Sequence, residues 1–385
     1  MDFSWNEQQR ELRAGAIAFA RQTLNADFSA RERAGEFSRE LWRQCARFGV
    51  QGMPLPEEFG GAGYDVMTTM LVMEALGYAC LDQGLLFCLH AHMWAIETPL
   101  LRFGTSGQKT RYLPRLCDGT LIGAHAMTEP QTGTDAFSLR TTADLRGDRY
   151  VLNGSKTFVT NAPVGDLFLV FATVDPRKGM WGITAFLVEK GAKGLTVGQK
   201  LDKLGLTTSP TAEVFLEDCE IPVENRLGKV GQGSAIFNHS MAWERSCILG
   251  STVGAMEHEL EMCVEYAKTR KQFGKPIGNY QLIAGKLADM KVRLETCRMM
   301  LYRAAWAHGC GEPNALEGAI AKLTISEAAV ASALDAIQIH GGYGYMREYN
   351  VERHLRDNVA SRLYSGTSEI QRLIVARHLG LSPGT

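Results

Sequence analysis

Hydrophobic rhythm changes twice along this 385-residue chain, and that double change constrains the fold more than any single motif. From Asn6 to about Cys117 the apolar residues fall at helical spacing, broken by the turn clusters Pro54-Leu55-Pro56 and Gly60-Gly61-Ala62-Gly63. Met70 to Ala91 is mostly apolar and reads as largely buried helix. The rhythm then shortens to β-rich runs at Arg149–Val151, Leu167–Ala172, Gly182–Val188 and Glu213–Leu216. Asn153-Gly154, Asp175-Pro176, Lys178-Gly179 and Lys193-Gly194 separate them, and Asn153-Gly154 reads as a hairpin signal. Helical periodicity returns over 235–269, 281–307, 313–340 and a last stretch near 366–379, four segments that suggest a bundle. The expectation is a mainly α chain with a central β-domain: a helical domain over 1–120, a β-domain over 121–225 and a helical bundle over 226–385.

Composition removes several function classes. Net charge is −1 and no basic run stands out, which argues against a nucleic-acid partner. The nine cysteines are scattered, odd in number and never arranged CxxC, as expected of reduced thiols in the cytoplasm. The opening Met1-Asp-Phe-Ser-Trp-Asn-Glu carries charge where a signal peptide would be apolar, and no apolar stretch is long enough to span a bilayer. A cytoplasmic protein with no membrane segment is expected. Gly228-x-x-Gly231-x-Gly233 lacks the GxGxxG spacing and a βαβ setting, so it reads as a joint between β-domain and bundle. His90-x-His92 lacks a third ligand at suitable spacing. A packed or hydrogen-bonded role is expected there, and no metal.

Four segments offer chemistry. Ala126 to Asp135 collects threonines, glycine and backbone donors in one loop where the β-domain begins, able to lie against a flavin's polar edge. Asn153 to Asn161 runs into a strand with Phe158 and Thr160 on one face. Gln338-Ile-His-Gly-Gly-Tyr-Gly344 closes a long helix with glycines that permit close backbone approach. Tyr364 to Gln371 introduces the last helix, whose N-terminus suits polar groups. Each segment alone reads as a turn or a helix cap.

Together, in this order and at these distances, the segments resemble the acyl-CoA dehydrogenase family. The resemblance runs from Pro56-Glu-Glu-Phe-Gly-Gly61 to Ile374-Val-Ala-Arg377 and includes Tyr266 to Gly274 and Arg353 to Asp357. It implies an N-terminal helical domain, a small β-barrel-like domain and a C-terminal four-helix bundle, in a homotetramer holding FAD. By family position, Met127, Thr128, Thr134, Phe158 and Thr160 would line the flavin ring and its nearer chain, with Thr367 and Glu369 close by. Arg270, Phe273, Gln281, Gln338 and Gly342 would reach the adenine-diphosphate end, in part across a subunit boundary.

One family feature is missing. Many members carry a catalytic glutamate just before the Gly-Thr of the last motif, and Ser365 stands there in this chain. Glu244, in Met241-Ala-Trp-Glu-Arg-Ser-Cys-Ile248, matches the base that a second branch uses from the adjoining helix. Local spacing agrees: Met241, Cys247 and Ile248 lie at i−3, i+3 and i+4, so the carboxylate would project from an apolar face, where burial raises its pKa toward that of a working base. Arg245 is expected on another face, for packing or substrate phosphate. A backbone N–H near Ser365 would bind the thioester carbonyl.

The resemblance thus implies α-proton abstraction by Glu244 and β-hydride transfer to FAD, forming a double bond in an acyl thioester. Leu201 to Cys219, Asn225 to Gly228 and Met241 to Arg245 look like the branch acting on carrier-protein-bound acyl groups in natural-product pathways, although Thr207 replaces a frequent arginine. The alternatives are a short- or branched-chain acyl-CoA substrate, a flavin monooxygenase or nitrogen oxidase on the same fold, and a flavin-binding scaffold without turnover. The electron acceptor would be an electron-transfer flavoprotein or oxygen.

Overall fold

A computed structural model describes residues 4–311 and 315–382. Seven helices come first: α1 (Glu7–Phe19), α2 (Phe28–Ala34), α3 (Arg39–Phe48), α4 (Val66–Ala79), α5 (Gln83–His92), α6 (Thr98–Phe103) and α7 (Ser106–Cys117). Their starts follow from capping. Asn6 and Thr105 each form a reciprocal box with the glutamine three residues on, and Asp65 accepts from the Thr68 N–H.

The stretch from Met70 to Ala91 is two helices, not one. Asp82 interrupts it: its buried carboxylate accepts from the Leu85 N–H at 2.9 Å, starting α5, and pairs with Arg31. A buried carboxylate that caps one helix and neutralises a guanidinium cannot also lie in a helix interior. His90 accepts from Trp94 and meets Ser251, while His92 meets the Glu97 carboxylate at 3.0 Å and accepts from the Gly123 N–H, so both are hydrogen-bonded in the core.

Eight strands follow: β1 (Gly123–Ala126), β2 (Thr142–Arg146), β3 (Arg149–Thr160), β4 (Leu167–Thr173), β5 (Ile183–Glu189), β6 (Leu195–Lys200), β7 (Thr211–Pro222) and β8 (Arg226–Leu227). They form one sheet in the order β6-β7-β3-β2-β4-β5-β8, with β1 parallel to β4. Asn153-Gly154 is not a hairpin. It lies inside β3, whose register against β7 shifts between Leu152 and Gly154. A Cβ at Gly154 would strike Thr141, so glycine is there for close approach; the actual β2–β3 turn uses Gly147 at φ 63°.

Gly228 and Gly231, both at positive φ, join β8 to the C-terminal helices. These are α8 (Gly233–Cys247), α9 (Gly250–Thr269), α10 (Gln281–Gly309), α11 (Ala315–His340), α12 (Val351–Val359) and α13 (Ser368–His378). The segment read as continuous over 235–269 breaks at Ile248-Leu249, and α12 escaped the periodicity reading.

Two glycines set how the first helices meet the bundle. Gly77 on α4 faces the Ser251 carbonyl, and Gly254 on α9 faces the Glu74 carbonyl, each so closely that a Cβ would collide with backbone. Beside this crossing the Glu74 carboxylate accepts from Arg298 of α10 at 2.7 Å and from the Tyr302 hydroxyl. Backbone cannot retreat as a flexible side chain can, so Gly254→Ala should cost about 1–3 kcal/mol. Urea denaturation monitored by far-UV circular dichroism would show it; an unchanged midpoint would mean that the helices separate freely here.

Candidate active site

The site begins with a buried ion pair. Glu129, just past β1, accepts from the N–H groups of Arg140 at 2.7 Å and Thr141 at 3.0 Å and pairs with Lys156 of β3 at 2.8 Å. Lys156 also donates to the Met127 carbonyl at 3.1 Å, and the Thr157 N–H donates to the Thr128 carbonyl at 2.8 Å. Burial pushes the Lys156 ammonium down to about 8, against the pull of Glu129. Burial also works to raise Glu129, but the Lys156 charge and the hydrogen bonds from Lys156, Thr141 and Arg140 outweigh it and hold the carboxyl below its ordinary range. These contacts press the Met127–Asp135 loop along β3.

Beyond Lys156 the register of β3 shifts again, and Phe158 takes φ 54° with its side chain largely exposed. A bulky residue in the left-handed region is strained, and the conformation persists only where the surroundings impose it. Here the conformation turns the ring to the edge of a cavity of about 520 Å³. Met127, Thr128, Thr134, Phe158, Thr160 and Thr367 all line this cavity, and so do Glu244 and Ser365.

Glu244 occupies the last turn of α8 and is buried with Met241, Cys247 and Ile248 around it. Its Oε2 accepts a hydrogen bond from the Ser365 hydroxyl. Burial raises its pKa to about 7; the Ser365 hydrogen bond, then the charges of Arg245 and Lys322, pull it back down. Arg245 does not face away from the base: its Nε donates to the Ser365 carbonyl at 3.2 Å, so it is engaged with the turn that carries Ser365.

The remaining expected residues gather elsewhere. Arg270, Phe273 and Gly342 line a second groove of about 540 Å³, formed by the ends of α9 and α11 and the start of α10. Phe273 is 95% exposed at φ 47°, and the Arg270 guanidinium lies 5.5 Å from the centre of the Tyr343 ring. Gln281 and Gln338, at the start of α10 and near the end of α11, are exposed. Among the described residues, none lines both cavities. Glu369 is exposed on the first turn of α13, lies 3.9 Å from Arg372 and is not part of the cavity wall.

Some cavity residues escaped sequence reasoning. His125 of β1 lines the cavity, and its buried Nε2 has no partner among the described residues. Phe87 and Tyr364 pack ring to ring at 4.7 Å along another wall. Lys322 lies behind Gly366. Its signal was available, as a lysine among the apolar Ala319, Ala321 and Ile325 of α11.

The Glu244 carboxylate thus faces a threonine-lined cavity between the β-sheet and the C-terminal helices. Residues 6–120 match the acyl-CoA dehydrogenase N-terminal domain, residues 124–219 the middle domain and residues 231–380 the C-terminal domain. The chain belongs to the acyl-CoA dehydrogenase family and is an FAD-dependent enzyme. It is similar to L-prolyl-[peptidyl-carrier protein] dehydrogenase of Serratia sp., 44% identical over 99% of both chains. Among solved structures it resembles the prolyl acyl carrier protein oxidase AnaB, with TM-score 0.97 and 49% identity over 98% of this chain and 100% of that one. It also resembles PigA with FAD and proline, with TM-score 0.97 and 43% identity over 99% and 100%.

The residues present fit FAD. Thr128, Thr134 and Thr160 offer hydroxyls, and Phe158 an aromatic face. The N–H groups of Gly366 and Thr367, at the cavity wall, have no acceptor among the described residues.

The raised pKa of Glu244 has a stability consequence. Its folded value of about 7 lies above the ordinary 4.5, so its contribution is fully present below pH 4.5 and is lost as pH rises through 7. Glu244→Gln cannot ionise. Its stability relative to the native chain should therefore improve between pH 5 and pH 8, as paired urea titrations across that range would reveal. A constant difference would mean that Glu244 titrates normally.

Proposed function

We propose that the chain introduces a double bond into an acyl group carried as a thioester on a carrier protein, as a step in natural-product biosynthesis, with Glu244 as the base. The observation that carries this is the buried Glu244 carboxylate, held by Ser365 at the wall of the cavity with a pKa near neutrality. A base of that strength is about half ionised at neutral pH and readily takes up a proton, which suits removal of a weakly acidic α-proton. Phe87, Met241 and Ile248 line the cavity beside it with apolar surface, and electrostatic contacts strengthen where bound substrate displaces water from such a surface.

Around the base, each group has a task. Ser365 orients the carboxylate. The N–H groups of the Ser365–Thr367 turn offer donors for the charge that develops on the thioester oxygen. Thr128, Thr134, Phe158, Thr160 and Met127 would hold the flavin ring, and Thr367 would lie beside it. FAD, when bound, supplies the acceptor for the β-hydride. Arg270, Phe273 and Gly342 in the separate groove, with Gln281 and Gln338 exposed at the start of α10 and near the end of α11, suit the adenine-diphosphate end of a cofactor held mainly by another subunit, which calls for a homo-oligomer of the homotetrameric kind. Electrons would leave to an electron-transfer flavoprotein or to oxygen. The carrier-protein preference rests on the relatives, whose names specify prolyl groups on carrier proteins.

Glu244→Gln retains size and hydrogen bonding but cannot take a proton. In stopped-flow experiments it should bind FAD and substrate yet reduce flavin about 10²–10⁴-fold more slowly. Reduction within a few-fold of the native rate would remove Glu244 from the role.

The carrier is tested separately. The same acyl group on a phosphopantetheinyl carrier protein should give a kcat/KM at least tenfold above that on CoA. Equal or reversed values would assign the chain to free acyl-CoA substrates.

A further inference from the structure

Behind the cavity wall sits a buried cation that the chemistry above does not use. Lys322 of α11 is fully buried, yet it forms no salt bridge among the described residues. Its Nζ donates to the Gly366 carbonyl at 2.7 Å and lies 5.8 Å from the centre of the Tyr364 ring. An ammonium taken from water without a paired anion is costly, and methionine or leucine would fill the space more cheaply. Its location therefore calls for a role.

The turn it touches is strained. Ser365 has φ 54° and Gly366 φ 89°, two consecutive residues in the left-handed region. The carbonyls of both are tied back into the bundle. Gln371, also fully buried, donates to Ser365 at 3.2 Å and to Gly366 at 2.8 Å, and Arg245 donates to Ser365. A trans peptide directs its C=O and N–H oppositely. Anchoring these two carbonyls therefore turns the N–H groups of Gly366 and Thr367 away from Lys322, Gln371 and Arg245. The same anchoring leaves the Ser365 hydroxyl on the Glu244 carboxylate.

We infer that Lys322, assisted by Gln371, is a positioning residue for the base: it holds the left-handed Ser365–Gly366 turn in the conformation that places the Ser365 hydroxyl on Glu244. The inference rests on Glu244 being the base, but it assigns a task to residues that never meet substrate. Lys322 acts on Gly366, the turn acts on Ser365, and Ser365 acts on Glu244. The charged and titratable groups facing Glu244 are Arg245 from its own helix, Lys322 from α11 and Tyr364 from the segment before α13. Glu327 of α11 and Glu369 of α13 bear on Lys322. Loss of the Ser365 hydroxyl or the Lys322 cation removes a group that favours ionised Glu244, so either change should raise the pH at which Glu244 titrates.

The test uses FAD-loaded enzyme and two readouts. Infrared difference titration follows the Glu244 carboxyl band, identified by its absence in Glu244→Gln. Stopped-flow flavin reduction gives rate and substrate affinity. Ser365→Ala and Lys322→Met should each move the band's midpoint to higher pH and slow reduction roughly 10–100-fold, the range expected of a misplaced catalytic group, with substrate affinity nearly unchanged. The double variant should be little slower than the worse single one, because both changes break one chain of contacts. Multiplying rate losses, or an unmoved midpoint in Lys322→Met, would overturn the inference. Should Lys322→Met fail to fold, Ser365→Ala, which removes one hydroxyl, still decides the final link: an unmoved midpoint there refutes it. Rapid flavin reduction by Glu244→Gln would instead refute the base assignment, while the band titration continues to report on the relay.

Discussion

A carboxylate withheld from water organises this molecule. Glu244 lies in the last turn of α8, where the helix dipole already disfavours negative charge, and apolar neighbours surround it. Such a group keeps its charge near neutral pH only if other elements supply hydrogen bonds and positive potential. Ser365 supplies the hydrogen bond from the turn before α13, Arg245 a guanidinium from α8 and Lys322 an ammonium from α11. Three separate parts of the chain must arrive together for one residue to be useful.

The opposite wall of the cavity depends on a buried charge pair. Glu129 and Lys156 neutralise each other inside the sheet, and their remaining hydrogen bonds fasten the Met127–Asp135 loop to β3. Breaking such a pair leaves an uncompensated interior charge, so the loop has little freedom to leave the sheet. The bulge that follows presents Phe158. Meanwhile the glycine contacts between α4 and α9 bring the first helices against the bundle at backbone distance, and the joint at Gly228 and Gly231 returns the chain from the sheet to the bundle. The cavity is bounded by all three regions, and none encloses it alone.

Much of this was visible in the residues. The change from 3.6- to 2-residue periodicity marked where strands replace helices, and the i−3, i+3 and i+4 neighbours of Glu244 marked a buried face. Local signals misled where tertiary contacts outweighed them. Asn153-Gly154 has the composition of a hairpin turn, yet its glycine serves a close approach to Thr141 within a continuous strand. Met70 to Ala91 has unbroken apolarity, yet Asp82 is committed to a cap and to Arg31 from a distant helix. Arg245 was expected on another face, but a long side chain can reach round its helix, and the carbonyl of Ser365 was there to receive it.

What the sequence determined by itself was the order of helical and β regions, the family and the two positions, 244 and 365, between which the base had to be chosen, because periodicity and motif spacing are local properties of a chain. Only the tertiary structure decided that Ser365 and Glu244 share a hydrogen bond, that Lys322 and Gln371 bond the carbonyls of the turn, and that the expected cofactor residues lie partly on one cavity, partly on another and partly on neither. The first of those facts depends on two side chains that meet across 121 residues of chain, and the second on a lysine 44 residues from the carbonyl it holds. Burial and hydrogen-bond geometry select such meetings, and neither is a property of any one segment.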